Sequence, residues 1–216
     1  MSGSASAVPS LTNVVRSWSD GVASPDWRKG LPVLTAHGVT LRELRVTDAA
    51  ALCALLTREE VARFISPPPA TVEGFERFIA WTHQQRAAGR YICFAATRTG
   101  DDTAIGIFQL RELNNSFATA EWGFALGLPY WGTGVFAAGA DLLLAFAFEM
   151  VGVDRLEARA AVGNGRGNGA LQKIGAVQEA RLRKSFCLNG EYLDQCLWAI
   201  LREQWEASQP ASQLHH

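Results

Sequence analysis

Apolar and polar positions divide the chain most sharply between Glu121 and Met150. Trp122, Phe124 and Leu126 alternate with Glu121, Gly123 and Ala125, which is the period of a β-strand. Pro129 and Gly132 break that strand. From Val135 the chain is apolar almost all round as far as Gly152, with Asp141 and Glu149 the main interruptions. That predicts a helix packed on more than one side rather than one lying on a surface.

The same reading extends in both directions. Residues 39–46 alternate as a first strand, and Thr47 and Asp48 offer N-caps for a helix over 49–56. Residues 59–64 add a further turn before Pro67-Pro68-Pro69 stops it. Thr71 opens a second long helix that ends near Gly89. Residues 91–97 and 104–113 read as strands joined through Thr99-Gly100-Asp101-Asp102, and Asn114-Asn115-Ser116 turns into a strand over 118–126. After the apolar helix come a strand over 155–162, a glycine-rich stretch over 164–169 and a short helix ending near Gly175. Strands over 177–188 and 192–201 follow, with Asn189-Gly190 a strong hairpin turn. No repeat is visible. The order is strand, helices, three strands, helix, strand, helix, hairpin, which predicts a mixed α/β sheet with antiparallel pairing in its first half.

Ahead of this pattern, the residue types over 10–19 predict a short helix with Ser10 as N-cap and Gly21 past its end. Trp18 and Trp27 speak for an arm resting on the body; a loose extension is the equal alternative. The chain of 216 residues is most simply one domain over 31–205, with an N-terminal extension over 1–30 and a tail over 206–216. His215 and His216 read as the remains of a tag and are set aside.

Composition narrows the function classes. Hydrophobic residues make up 48% and charged residues 19%, with a net charge of −1 and no long basic run, so nucleic-acid binding is not indicated. The start lacks a charged n-region and an adequate apolar core, which gives no secretory signal, and the 135–148 helix is too short to span a bilayer. Cys53, Cys93, Cys187 and Cys196 are scattered without a C-x-x-C, which fits reduced, buried thiols in a cytoplasmic protein. His37 and His83 stand alone, so no metal is expected.

Chemistry enters at Tyr130-Trp131-Gly132-Thr133-Gly134-Val135. Two glycines one residue apart let backbone N–H groups converge just before a helix start, where orphan donors and the helix dipole favour an anion such as a pyrophosphate. By itself G-x-G is also a common tight turn.

The context of this turn resembles the GNAT N-acetyltransferases, whose acetyl-CoA loop is Q/R-x-x-G-x-G/A at a strand–helix junction. Here the loop is Pro129-Tyr130-Trp131-Gly132-Thr133-Gly134, and P-Y-W-G-x-G is closer to the branch that includes the ribosomal-protein N-terminal (alanine/serine) acetyltransferases. A second stretch, Asn164-Gly165-Arg166-Gly167 leading to Leu171-Gln172-Lys173-Ile174-Gly175-Ala176, is similar to that branch's N-x-x-S-x-x-x-L-x-K-x-G-F, with Gly167 at the serine and Ala176 at the aromatic position. The resemblance covers roughly residues 31–205. It implies a GNAT-like α/β (α+β) fold: a mixed, mainly antiparallel central sheet flanked by helices, with central strands that splay to admit the pantetheine arm of acetyl-CoA. Those strands correspond to 118–126 and 155–162 here.

What the resemblance implies for the site follows. Gly132, Thr133, Gly134, Val135 and Phe136 hold the pyrophosphate through backbone N–H groups, and Phe124 and Leu126 pair with the pantetheine arm. Asn164, Gly167 and Arg166 lie on the cofactor side. Asn164 also stands among the catalytic positions, although a loop-capping asparagine and a solvated arginine are the plain alternatives for Asn164 and Arg166. Acetyl transfer needs a base for the ammonium and an acid for the leaving thiolate. Glu121 resembles the family's strand glutamate and is chosen as base; a solvent-facing carboxylate is the alternative, and Glu157 and Asp194 are rivals. Related enzymes place hydroxyls at the positions of Gly167 and Leu171, which have none, so Tyr130, Tyr192 or water is left for the acid. Phe64, Phe75, Phe78 and Trp81 read as core rather than as a ligand cage.

The expected activity is transfer of an acetyl group from acetyl-CoA to a primary amine, first of all a protein or peptide N-terminus. A small amine (an antibiotic or polyamine) and a non-catalytic acyl-CoA-binding module are the alternatives. A monomer or a weak homodimer is expected, with the dimer favoured slightly, from the apolar faces of the 135–150 helix and the apolar strand that ends the hairpin after Val177.

Overall fold

The structure is a computed structural model and describes residues 26–209. Its eight strands are β1 (Leu34–Ala36), β2 (Val39–Glu43), β3 (Tyr91–Arg98), β4 (Asp101–Glu112), β5 (Thr119–Leu126), β6 (Arg155–Ala161), β7 (Val177–Leu188) and β8 (Glu191–Leu201). Six helices accompany them: α1 (Ala49–Leu56), α2 (Glu59–Ala62), α3 (Val72–Ala87), α4 (Val135–Ala145), α5 (Gly165–Lys173) and α6 (Arg202–Ser208). The strands form one sheet in the order β1-β2-β3-β4-β5-β6-β8-β7. Every neighbouring pair is antiparallel except β5 and β6, which are parallel. This is the mixed, mainly antiparallel sheet flanked by helices that the family resemblance implies.

Local chemistry explains the boundaries. The Thr71 hydroxyl caps α3 by accepting from Gly74 N–H at 3.1 Å. The apolar run after Val135 is α4, continued by a π-helical turn over Phe146–Val151 and closed by Gly152 at φ 86°. Asn189 (φ 52°) and Gly190 (φ 84°) turn β7 into β8. The helices divide between the two faces of the sheet. Leu52 and Leu56 of α1 and Phe75 and Ile79 of α3 pack with Cys93 and Ala95 of β3 on one face. On the other, Leu143, Phe146 and Phe148 pack with Phe94 and Phe108. The approach there is close: a Cβ at Gly139 would sit 2.5 Å from the Phe108 ring.

Several features depart from the sequence reading. Strand β1 is paired to β2 through a turn at His37 (φ 50°) and Gly38 (φ 77°), and α6 follows β8 directly. Strand β2 stops at Glu43, short of Val46. The buried Arg42 donates to both oxygens of Asp48 at 2.8 Å, and a 3₁₀ turn over Val46–Asp48 forms there instead of more strand. Strand β4 begins at Asp101, three residues before Ala104. Trp27 is buried edge-to-face on Phe117 with ring centroids 5.5 Å apart. The expected helix over 10–19, Trp18 and the tail after 209 lie outside the described residues. All four cysteines are free; Cys93 and Cys196 are buried, Cys53 is half-buried and Cys187 is exposed. Cys187 therefore departs from the expected burial: it lies on the edge strand β7, most of whose residues are exposed.

Candidate active site

Strands β5 and β6 stay paired only over Thr119↔Arg155, Ala120↔Leu156 and Glu121↔Glu157. Beyond that point they part, and a cleft of about 1800 Å³ fills the gap, lined by residues 121–126 of β5 and 158–160 of β6. The splay has a local cause. Gly127 N–H still bonds Ile105 O at 2.9 Å, but Leu128–Tyr130 then form a 3₁₀ turn containing Pro129. The Trp131 indole N–H donates to Leu126 O at 2.8 Å and pins that turn against the strand end. Because Gly127 bonds toward β4, antiparallel alternation turns the backbone groups of Trp122, Phe124 and Leu126 toward β6. The C=O of Leu126 is already taken by Trp131; the Phe124 groups and Leu126 N–H face the gap that β6 has left.

Gly132 (φ 74°) and Gly134 (φ 87°) both adopt the left-handed conformation, which explains the G-x-G. Gly134 is the N-cap of α4 and supplies no capping side chain, so the first-turn N–H groups from Val135 onward are open to an anion. Thr133 spends its hydroxyl within the loop, donating to Tyr130 O at 2.8 Å, and offers its backbone. Val135 is buried and seats the helix start; Phe136 packs on Phe124 with centroids 4.4 Å apart. An uncapped helix start beside an unpaired strand edge fits a pyrophosphate followed by an amide-bearing arm, the chemistry of coenzyme A.

The opposite wall is α5. The Asn164 side-chain oxygen accepts from Gly167 N–H at 2.9 Å, so Asn164 caps the helix while also lining the cleft. Arg166 is not merely solvated: its guanidinium lies over the Trp131 ring, 4.5 Å from the centroid, joining α5 to the glycine loop across the cleft. Asn168 holds the base of the helix, donating to Ala161 O and accepting from the Trp198 indole, each at 2.9 Å.

Glu121 lies at the bottom of the splay, on the strand face away from Trp122 and Phe124. Arg111, opposite it on β4, donates to its Oε2 at 2.6 Å, and Arg159 of β6 donates to the same oxygen at 2.6 Å. Glu121 Oε1 accepts no hydrogen bond from the described residues. The rivals are placed differently. Glu157 is bonded to Arg155 at 2.9 Å and, more weakly, to Arg159 at 3.4 Å, and does not line the cleft. Asp194 is also outside the lining; the Lys184 N–H, and then Arg181, hold its carboxyl below the usual range. Of the two tyrosines considered as acid, Tyr130 lines the cleft and Tyr192 does not. Leu171 and Gly167 line it without a hydroxyl.

The cleft thus brings together Glu121, Phe124, Leu126, Gly132, Gly134, Phe136, Asn164, Arg166 and Gly167, with Thr133 and Val135 completing the loop between them. Sequence reasoning missed Trp131 as a fixing point, Arg111 and Arg159 as partners of one carboxylate, and the aromatic side of the mouth. Phe75 is core, but Phe78, Trp81 and Tyr91 form an aromatic row lining the cleft, Phe78 stacked on Trp81 at 6.1 Å between centroids and Trp81 tilted against Tyr91 at 5.0 Å, and Trp81 is 43% exposed. Phe78 and Trp81 stand at i and i+3 on α3, a spacing visible in the sequence; the register that sets Arg111 against Glu121 is not countable from a 114–116 turn, which would set Arg111 against Thr119.

Residues 39–177 match the family model described as Acetyltransferase (GNAT) domain. The chain is 25% identical to "Putative ribosomal N-acetyltransferase YdaF" of Bacillus subtilis over 78% of its own length and 93% of that protein. It is likewise 25% identical to spermidine N(1)-acetyltransferase of Escherichia coli strain K12, over 80% of this chain and 91% of that one. Among solved structures, Mycobacterium smegmatis RimJ in complex with CoA-disulfide superposes with a TM-score of 0.72 at 21% identity, over 81% of this chain and 86% of that chain. That last likeness concerns the fold.

Proposed function

We propose that this chain, which belongs to the GNAT acetyltransferase family and is an acetyl-CoA-dependent N-acyltransferase, acetylates the N-terminal amine of a protein or peptide. The observation that carries the choice of acceptor is the charge of the cleft at its acceptor end. Arg63, Arg111 and Arg159 stand there against only Glu60 and Glu121. A polycation such as a polyamine needs the opposite balance. The Phe78–Trp81–Tyr91 row gives an apolar side wall suited to a peptide side chain.

In this reading the loop 132–136 holds the pyrophosphate, and Phe124 and Leu126 N–H hold the pantetheine arm. Acetyl-CoA supplies the thioester; the protein supplies position and electrostatics. Glu121 takes the ammonium through Oε1, directly or through a water, and accepts its proton so that the free amine can attack. The leaving thiolate takes its proton, in this reading, from Tyr130, which lines the cleft beside the loop, or from water. Asn164 holds α5 in position by capping it.

A panel of N-terminal peptides run against a panel of small amines, with release of coenzyme A as the readout, tests the proposal. Turnover confined to the small amines would move the chain to the second reading, which the spermidine acetyltransferase relative favours. The cytoplasm is the proposed location, in keeping with four free cysteines. No helix among the described residues is long and apolar enough to cross a membrane. The apolar faces of α4 are consumed by its own sheet, so a weak homodimer would use the β7–β8 hairpin, where Val177 and Tyr192 are exposed.

A further inference from the structure

We infer that the acceptor end of the cleft contains an anion subsite, in which the guanidinium of Arg111, with Arg159 holding Glu121 beside it, takes a carboxylate that the substrate carries near the amine to be acetylated. This rests on the reading that the cleft acetylates an amine, and it narrows the acceptor to amines with an acidic neighbour.

Three observations carry it. Both arginines converge on a single oxygen, Glu121 Oε2, at 2.6 Å each, at the point where β5 and β6 separate, and Arg159 also reaches Glu157 at 3.4 Å. The rest of the cross-sheet ladder is otherwise satisfied: Arg155 holds Glu157 at 2.9 Å and Glu179 at 2.5 Å, and neither glutamate lines the cleft. The three arginines match the three glutamates in number, but on the cleft wall itself Arg111 and Arg159 stand against Glu121 alone of these carboxylates. Arg63, stacked on Phe64 across the mouth, adds a further positive charge.

Second, the Arg111 guanidinium is 57% exposed and gives Glu121 one of its N–H groups. An arginine presents five N–H donors in a fixed fork that matches a carboxylate bidentately, so most of this fork remains for a second anion. Third, the exchange is cheap. An exposed ion pair of this kind contributes little by itself, and Arg159 keeps Glu121 in place when Arg111 turns toward the substrate. The carboxylate then lies beside Arg111 while the amine lies at the open Oε1 of Glu121. Both substrate groups are held at once, across one pair of facing strand residues.

The test uses the full chain with acetyl-CoA and two matched acceptor pairs. One pair is a short peptide with Glu at its second position and the same peptide with Gln there. The other is a small α-amino acid and its amide. The acid should exceed its uncharged partner in kcat/KM by about tenfold, mainly through KM, the equivalent of one good ion pair. In Arg111→Gln that ratio should fall toward one; Arg111→Lys, which keeps charge but not the fork, should recover part of it. Arg159→Gln gives the second variant, and calorimetry of the two peptides with coenzyme A present gives a readout free of turnover. A parent ratio near one, or a ratio unchanged in both glutamine variants, overturns the subsite. The two readings fail separately. Peptide turnover without acid preference removes the subsite alone. Acid preference seen only in the small pair removes the N-terminal reading alone. A chain that neither acetylates nor binds any of the four acceptors overturns both.

Discussion

Glu121 and Glu157 face each other as the last pair of the parallel ladder between β5 and β6. Two carboxylates on adjacent strands repel, and the arrangement is held by Arg159, which bonds both, with Arg111 and Arg155 on the outer sides. The point where the sheet stops pairing is therefore also a cluster of charge. A backbone edge able to bind an amide-bearing arm begins where a carboxylate able to bind an amine stands.

Glu121→Gln keeps shape and hydrogen bonding but cannot accept a proton. The chemical rate should fall by about 10²- to 10⁴-fold, in kcat and kcat/KM together. Affinity for acetyl-CoA should barely change, because the loop 132–136 is untouched. Steady-state rates over a pH series check this; a parental kcat and parental pH profile in Glu121→Gln would return the role to Glu157 or to solvent.

Gly134→Val should abolish acetyl-CoA binding. No atom crowds a Cβ at Gly134, so the penalty is conformational: φ is 87°, where a β-branched residue is strained. Relief of that strain turns the first N–H groups of α4 away from the pyrophosphate. Calorimetry with acetyl-CoA on the folded variant decides; an unchanged affinity would remove the loop assignment.

Gly167→Ser would restore the hydroxyl that related enzymes carry, yet it should not restore an acid. Its Cβ would lie 2.5 Å from the Asn164 amide nitrogen, so Asn164 must give up its cap on α5. Loss of such a cap costs about 1 kcal/mol, a fall in Tm of about 2–4 °C for a chain this size. A thermal melt that is unchanged, with kcat raised, would show that Asn164 yields without cost.

Much of this was legible in the sequence because its causes are local. The alternation of Trp122, Phe124 and Leu126, the positive φ that Gly132 and Gly134 require, and the Asn189-Gly190 turn each act within a few residues. Strand β1 escaped because it is three residues long and its turn uses His37-Gly38 rather than an Asn-Gly or Asp-Gly pair. The partners of Glu121 escaped for another reason. Arg111 and Arg159 lie 10 and 38 residues away and meet it only through the register of three strands. Trp81 read as core because an aromatic on a helix usually is; only the open mouth beside it leaves it exposed.

Stability should fall in acid, and Asp102 should account for part of the slope. Arg42 is buried between β2 and β4, bonded to Asp48 at 2.8 Å and to Asp102 Oδ1 at 2.6 Å, while Arg45 reaches the other Asp102 oxygen. Arg42, and after it Arg45, hold the Asp102 carboxyl below its usual range, and Arg155 does the same for Glu179. A carboxyl whose pKa is lower folded than unfolded binds fewer protons in the folded state. Its stabilising effect is complete above the unfolded value of about 3.9 and is lost as pH falls through the folded one. Tm should therefore hold, as far as these groups are concerned, from pH 7 down to about 5, and drop below about pH 4. Asp102→Asn removes one of them. It should melt earlier than the parent at pH 7, because Arg42 loses an anionic partner in a buried setting. Its acid slope should be shallower, since there is one fewer depressed carboxyl to protonate. The two melting curves should then converge as pH falls, because a protonated Asp102 and an asparagine are alike in charge and shape. Thermal denaturation followed by circular dichroism between pH 2.5 and 7 measures all three features. A gap between parent and Asp102→Asn that stays constant across that range would mean that Asp102 acts through packing and not through its charge.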